Sequence, residues 1–152
     1  MYMTSKIKQY FAKIVNKCPY GLPEYKTPGS SGMDLYANID KPIKLWPLQI
    51  AKIPTGIYIQ LDPFMEAQVR SRSGLSTNYG LCVVNGVGTV DSDFTGQVQA
   101  PIINLSWRRR TIIPRQRIAQ LVICRTVHIH WQEVDHLDKT ERGDRGFAHT
   151  GY

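Results

Sequence analysis

An all-β fold, a sandwich or a barrel, is what this sequence predicts, on three observations. Nine prolines and twelve glycines break the 152 residues at short intervals. Between the breaks lie brief runs rich in β-branched and aromatic residues, which suit a pleated, half-buried surface. In one run Val127 and Ile129 alternate with His128 and His130, the period of two of a strand with one buried face. Many short strands joined by frequent turns fit a sandwich or barrel better than helices on a parallel sheet.

The totals fit one domain with a core large enough to hold without staples: 42% of residues are hydrophobic and 20% charged. No repeat and no internal linker divides it. No apolar run approaches a membrane span, and lysines interrupt the opening MYMTSKIKQYFAKIVNK where a signal peptide needs an unbroken apolar core. Cys18, Cys82 and Cys124 are odd in number and far apart, so they read as reduced, mostly buried thiols of a cytoplasmic protein, with no zinc site.

Along the chain, the first rich loop is Thr27-Pro-Gly-Ser-Ser-Gly-Met-Asp-Leu35, followed by the strand-like run Lys52 to Leu61. Ser71-Arg-Ser-Gly-Leu-Ser76 comes next. Its Arg72-Ser73-Gly74 has the parts of a phosphate cradle (a guanidinium fork, a hydroxyl and a glycine that lets backbone N–H groups approach), although a tight turn needs the same residues. The third loop, Asn85 to Gly96, carries Val90-Asp-Ser-Asp-Phe94. If the strand stays regular there, Asp91 and Asp93 share one face. A run from Gln97 to Leu105 leads into Trp107-Arg-Arg-Arg110, read as a solvated hairpin turn. With a formal net charge of +7, the surface attracts small polyanions, but the cations form no stripe, so neither nucleic acid nor membrane is expected as a partner. The last strand-like run is Ile118 to His130, whose two histidines belong to an exposed strand face and not to a metal site. Core-forming residues stop near Leu137. The expected organisation is an all-β domain over residues 1–137 and a flexible arm over 138–152.

The order of these stretches resembles the trimeric deoxyuridine triphosphate pyrophosphatases (dUTPases) over nearly the whole chain. Five motifs of that family occur in sequence: Ser31-Gly-Met-Asp-Leu-Tyr-Ala37, Arg72-Ser-Gly-Leu-Ser76, Asn85 through Gly96, Arg117-Ile-Ala-Gln120, and Arg142-Gly-Asp-Arg-Gly-Phe-Ala-His-Thr-Gly151. The resemblance implies a distorted jelly-roll, a homotrimer with shared active sites, and magnesium-assisted hydrolysis of dUTP to dUMP and pyrophosphate. Asp91 takes the position of the catalytic base that orients and deprotonates water. Asn85 and the backbone of Gly88, Thr89, Val90 and Asp91 would read uracil. Phe94, where the family usually has Tyr, would stack under the sugar and exclude a 2′-hydroxyl. Arg72, Ser73, the Gly74 backbone and Gln120 would bind the α- and β-phosphates, and Asp34 would act through water bound to Mg²⁺.

The arm gains a reason from the same resemblance. It would close over bound nucleotide, with Arg142 at the γ-phosphate, Phe147 over the uracil face, and His149 and Thr150 as further donors. Arg145 and Ala148 stand where the family has glycine, and Pro114-Arg115-Gln116 replaces the usual Pro-Gly-acid turn. Two other readings compete. A dCTP deaminase of this fold needs a glutamate on the strand after the third motif, and Gln97 to Asn104 holds no acid. A catalytically silent nucleotide-sensing module has only the motif departures in its favour.

Overall fold

The computed structural model describes residues 10–146. Its elements are β1 (Lys13–Asn16), β2 (Met33–Tyr36), β3 (Ile43–Leu45), β4 (Ile50–Gln60), β5 (Met65–Ser71), α1 (Ser73–Tyr79), β6 (Leu81–Val83), β7 (Val87–Val90), β8 (Gln97–Asn104), β9 (Arg110–Ile112) and β10 (Arg117–Arg125). All pairings are antiparallel. One four-stranded sheet runs β1-β4-β8-β6, a second runs β2-β10-β5-β7, and β3 pairs with β9. The sheets stay open and do not close into a barrel.

Side-chain alternation explains the packing. Along β8 every second residue, Val98, Ala100, Ile102 and Asn104, is buried, as the pleat requires. The buried faces of all three sheets meet in one cluster: Ile53, Val98 and Ile102 from the first, Leu35, Val69 and Leu121 from the second, Leu45 and Ile112 from the third. This is a sandwich core. β4 bends within it at a bulge between Pro54 and Ile57, where Gly56 sits at φ 72°. Buried Thr55 steadies the bulge by donating from Oγ1 to the Val98 carbonyl at 2.6 Å.

Four expectations need correction. The strand through His130 ends at Arg125, because Arg125 already faces Met65, the first residue of β5, and only Thr126 makes one further bond, to the Phe64 carbonyl at 3.0 Å. Beyond it His128 and His130 lie on exposed, irregular chain, and Trp131 is 90% exposed. Alternation alone does not hold a strand that lacks a partner. The second correction is α1, a helix where a turn was expected; Gly80 at φ 67° closes it, its N–H donating to the carbonyls of Leu75 and Ser76. Trp107 to Arg109 form no hairpin, since β8 and β9 belong to different sheets. Finally, β7 stops at Val90 and the chain turns at once, the Phe94 N–H donating to the Asp91 carbonyl at 3.2 Å, so Asp91 and Asp93 do not lie on a regular strand.

Among the described residues no helix is long and apolar enough to cross a membrane. The three cysteines are free, Cys18 buried and Cys82 and Cys124 half-buried.

Candidate active site

On the folded body the predicted site residues fall into two groups, one along β7 and its flanking turns, the other where β2, β10 and β5 meet. The first group lines a groove of about 520 Å³ that holds Asn85, Gly88, Thr89, Val90, Asp91 and Phe94 together. Among the described residues β7 pairs with β5 alone and forms the edge of its sheet, so alternate N–H and C=O groups of the strand have no ladder partner. Asn85 precedes the strand and folds back on it, so that a Cβ on Gly88 would lie 3.4 Å from Asn85 Nδ2. Asp91, just past the strand, is exposed. Phe94 is exposed too, its ring resting on Gly96, where a Cβ would fall 2.5 Å from Phe94 Cζ. Lys52, Gln97 and Gln99 also line the groove. No sequence motif singled them out, and only the pairing of β4 with β8 brings them there.

The second group gathers where β2, β10 and β5 run side by side. Register places Gln120 opposite both Asp34 and Arg70, which brings the first and fourth motifs together beside the second. Asp34, with its side chain only 15% exposed, accepts from Arg72 Nε at 2.8 Å on Oδ1 and from Arg117 Nη1 at 3.0 Å on Oδ2. Arg117 was not among the predicted site residues, although it opens the fourth motif. Gln120 Nε2 donates to the Ser71 carbonyl at 3.0 Å, and its Oε1 fills the space a side chain on Gly32 would need, 2.5 Å from a Cβ built there. Ser73 and Gly74 are exposed in the first turn of α1, where backbone N–H groups have no helical partner.

Arg142 is exposed on a short turn in which its Nε donates to the Arg145 carbonyl at 3.0 Å and Arg145 Nε returns a bond to the Arg142 carbonyl at 2.9 Å. Arg145 thus folds back on its own turn. Phe147, His149 and Thr150 lie outside the described residues. No three His, Cys, Asp or Glu side chains cluster as a metal cage among the described residues.

Comparison with known proteins gives the family. The chain is 48% identical over 140 residues to the deoxyuridine 5′-triphosphate nucleotidohydrolase of Finegoldia magna, covering 92% of this chain and 98% of that one. It is 50% identical over 130 residues to the enzyme of the same name from Caldanaerobacter subterraneus subsp. tengcongensis, covering 86% and 88%. Among solved structures, a Staphylococcus bacteriophage 80alpha dUTPase mutant with dUpNHpp superposes with a TM-score of 0.80 at 20% identity, over 95% of this chain and all (100%) of that one. A phage phi11 dUTPase mutant, reported for its coordination of a structural Mg(II) ion, gives 0.76 at 17% identity, over 86% and 100%. The dUTPase family profile matches residues 19–151, and the chain belongs to the dUTPase family, the dUTP diphosphatases.

Proposed function

We propose that dUTP is hydrolysed at the β7 groove, with Asp91 holding and deprotonating the water that attacks the α-phosphorus, which releases dUMP and pyrophosphate. The observation that carries this reading is the shared groove: the exposed Asp91 carboxylate opens into the same space as the edge backbone of Gly88 to Val90, Asn85 and the Phe94 ring. An edge strand offers N–H and C=O groups in alternation, which matches the donor and acceptor edge of uracil. Cytosine presents the wrong pattern and leaves buried polar groups unpaired, a costly mismatch. The ring of Phe94 stacks under the deoxyribose and leaves no room for a 2′-hydroxyl.

The triphosphate needs the second group. Arg72, Ser73, the Gly74 backbone and Gln120 bind the α- and β-phosphates, the arginine through its fork and the glycine through an N–H approached without a Cβ. Register puts Arg70 opposite Val87 and Ala67 opposite Val90. Arg72 and Asp91 therefore sit at opposite ends of β7, on the order of 20 Å apart along the strand. One chain does not bring them to the same phosphorus. A complete site takes its groove from one copy and its phosphate grip from another, which accords with a homotrimer of shared active sites.

Mg²⁺ fits this donor set as an ion held mainly by substrate phosphates, with Asp34 reaching it through water. Each Asp34 oxygen accepts one guanidinium N–H and keeps a lone pair for such a water. When bound, the ion neutralises phosphate charge and fixes the triphosphate conformation. The arm over residues 138–152 closes the site, Arg142 at the γ-phosphate and Phe147 on the uracil face, with His149 and Thr150 as donors. The protein acts in the cytoplasm, on a soluble nucleotide.

The test is substrate-resolved hydrolysis by the full chain with MgCl₂. Pyrophosphate release from dUTP with little from UTP, dTTP or dCTP is expected. Equal turnover of UTP overturns the sugar-exclusion role of Phe94, and ammonia from dCTP overturns the reaction.

A further inference from the structure

Lys52 lies in the groove that holds Asp91, yet nothing in the hydrolysis described above uses it. The sheet places it there. Lys52 on β4 pairs with Pro101 on β8, and paired residues of an antiparallel ladder send their side chains to the same face. The core side of β8 belongs to Val98, Ala100 and Ile102, so Gln97, Gln99 and Pro101 face the groove together with Lys52.

Position along the groove decides what Lys52 can touch. The Pro101 carbonyl accepts from the Val84 N–H at 2.9 Å, which sets Pro101 and its partner Lys52 beside Asn85. Asp91 marks the opposite end: the Phe94 ring rests on Gly96, next to Gln97 at the start of β8. Four residues of strand, about 13 Å, separate Gln97 from Pro101. Among the described residues the groove therefore holds one acid, at the reacting end, and one cation, at the far end. A nucleotide whose α-phosphorus meets Asp91 turns its base, and not its phosphates, toward Lys52. The ring position opposite the glycosidic bond of a pyrimidine is C4, so the substituent on C4 leads into that end.

The substituent is a carbonyl in uracil and an amino group in cytosine. Asn85 and Gln99 are amides, which offer a donor or an acceptor by turning over and so suit either base. The lysine head has three N–H donors and no acceptor. Among the described residues no ion pair neutralises it. The groove has to stay open in any assembly that turns over dUTP, so Lys52 is reached from it whichever faces the copies bury. Resting on the dUTP reading of this groove, we propose that Lys52 is a specificity-determining residue that donates to the 4-carbonyl oxygen of uracil. It rejects cytosine, whose amino hydrogens meet a group that can only donate.

The experiment measures kcat and KM of the full chain with MgCl₂ for dUTP and dCTP, in the unaltered protein, Lys52→Met and Lys52→Arg. Lys52 is exposed and methionine keeps much of its aliphatic stem, so folding stands. In Lys52→Met the KM for dUTP should rise at least tenfold with kcat nearly unchanged, because a contact remote from the reacting atoms acts in ground and transition states alike. The preference for dUTP over dCTP in kcat/KM should narrow at least tenfold, and Lys52→Arg should keep most of it. An unchanged preference in Lys52→Met overturns the proposal. Equal losses for dUTP and dCTP also overturn it, and make Lys52 a general attractor of triphosphates. A preference lost as fully in Lys52→Arg assigns the effect to shape and overturns it too. Full turnover in Asp91→Asn, a separate measurement, would instead remove the groove reading beneath it.

Discussion

The tip of the Phe94 ring lies against Gly96, so close that a single added carbon would meet Phe94 Cζ at 2.5 Å. The glycine sets the height of the ring in the groove. Gly96→Ala is expected to displace the exposed ring and leave the backbone in place, because the ring is the part free to move. Stability should hardly change. In steady-state assays kcat/KM for dUTP should fall by about tenfold or more, as sub-ångström misplacement of reacting groups does, and discrimination against UTP should narrow. An unchanged preference for dUTP would show that the ring does not police the sugar.

Asp34 joins Arg72 and Arg117. Asp34→Ala is expected to lower the unfolding free energy by about 1–2 kcal/mol, chiefly through the lost bond to Arg72, since the half-exposed pair with Arg117 contributes little. KM for dUTP should rise more than kcat falls. A double-mutant cycle with Arg72→Ala, read by denaturant unfolding, checks the coupling; strict additivity would mean the pair is incidental.

Gly56 bears a different kind of constraint. At φ 72°, with Asn38 Nδ2 at 2.5 Å and the Cys18 backbone nitrogen at 2.9 Å from any Cβ, it admits no side chain. Gly56→Ala should cost more than about 2 kcal/mol by combining αL strain with a backbone clash. Thermal unfolding measures this, and a loss within experimental error would deny the bulge its role in bending β4.

Deleting residues 138–152 should leave the folded body intact, because residues 138–146 are exposed and add nothing to the core. Turnover should fall by about a hundredfold or more when the positioning supplied by closure is removed. Circular dichroism and initial rates on the same sample decide it. Full activity in the shortened chain would remove the arm from the mechanism.

Much of this was legible in the sequence. β4, β8 and the body of β10 follow from β-branched runs between glycines and prolines, and the groove residues from Asn85 to Phe94 are contiguous, so locating one located all. Helix α1 was hidden because Ser73 to Tyr79 has weak helix formers and buries only Leu75. The alternation continues to His130, but β5 begins at Met65 opposite Arg125, so the residues beyond have no strand to pair with. The separation of Arg72 from Asp91 was invisible for a related reason. It is a fact of register between β5 and β7, and no local pattern encodes it.

The most direct measurement of the central claim mixes two disabled variants, Asp91→Asn and Arg72→Ala, under conditions where subunit exchange is verified by mass spectrometry. Alone, each should lose at least about a hundredfold in dUTP turnover, the scale set by removing a general base or a charge-stabilising group. Mixed, they should regain activity, because hybrid sites pair an intact Asp91 from one copy with an intact Arg72 from another. Full activity of Asp91→Asn alone, or no recovery in exchanged mixtures, would contradict a site built from the two ends of β7 on different copies.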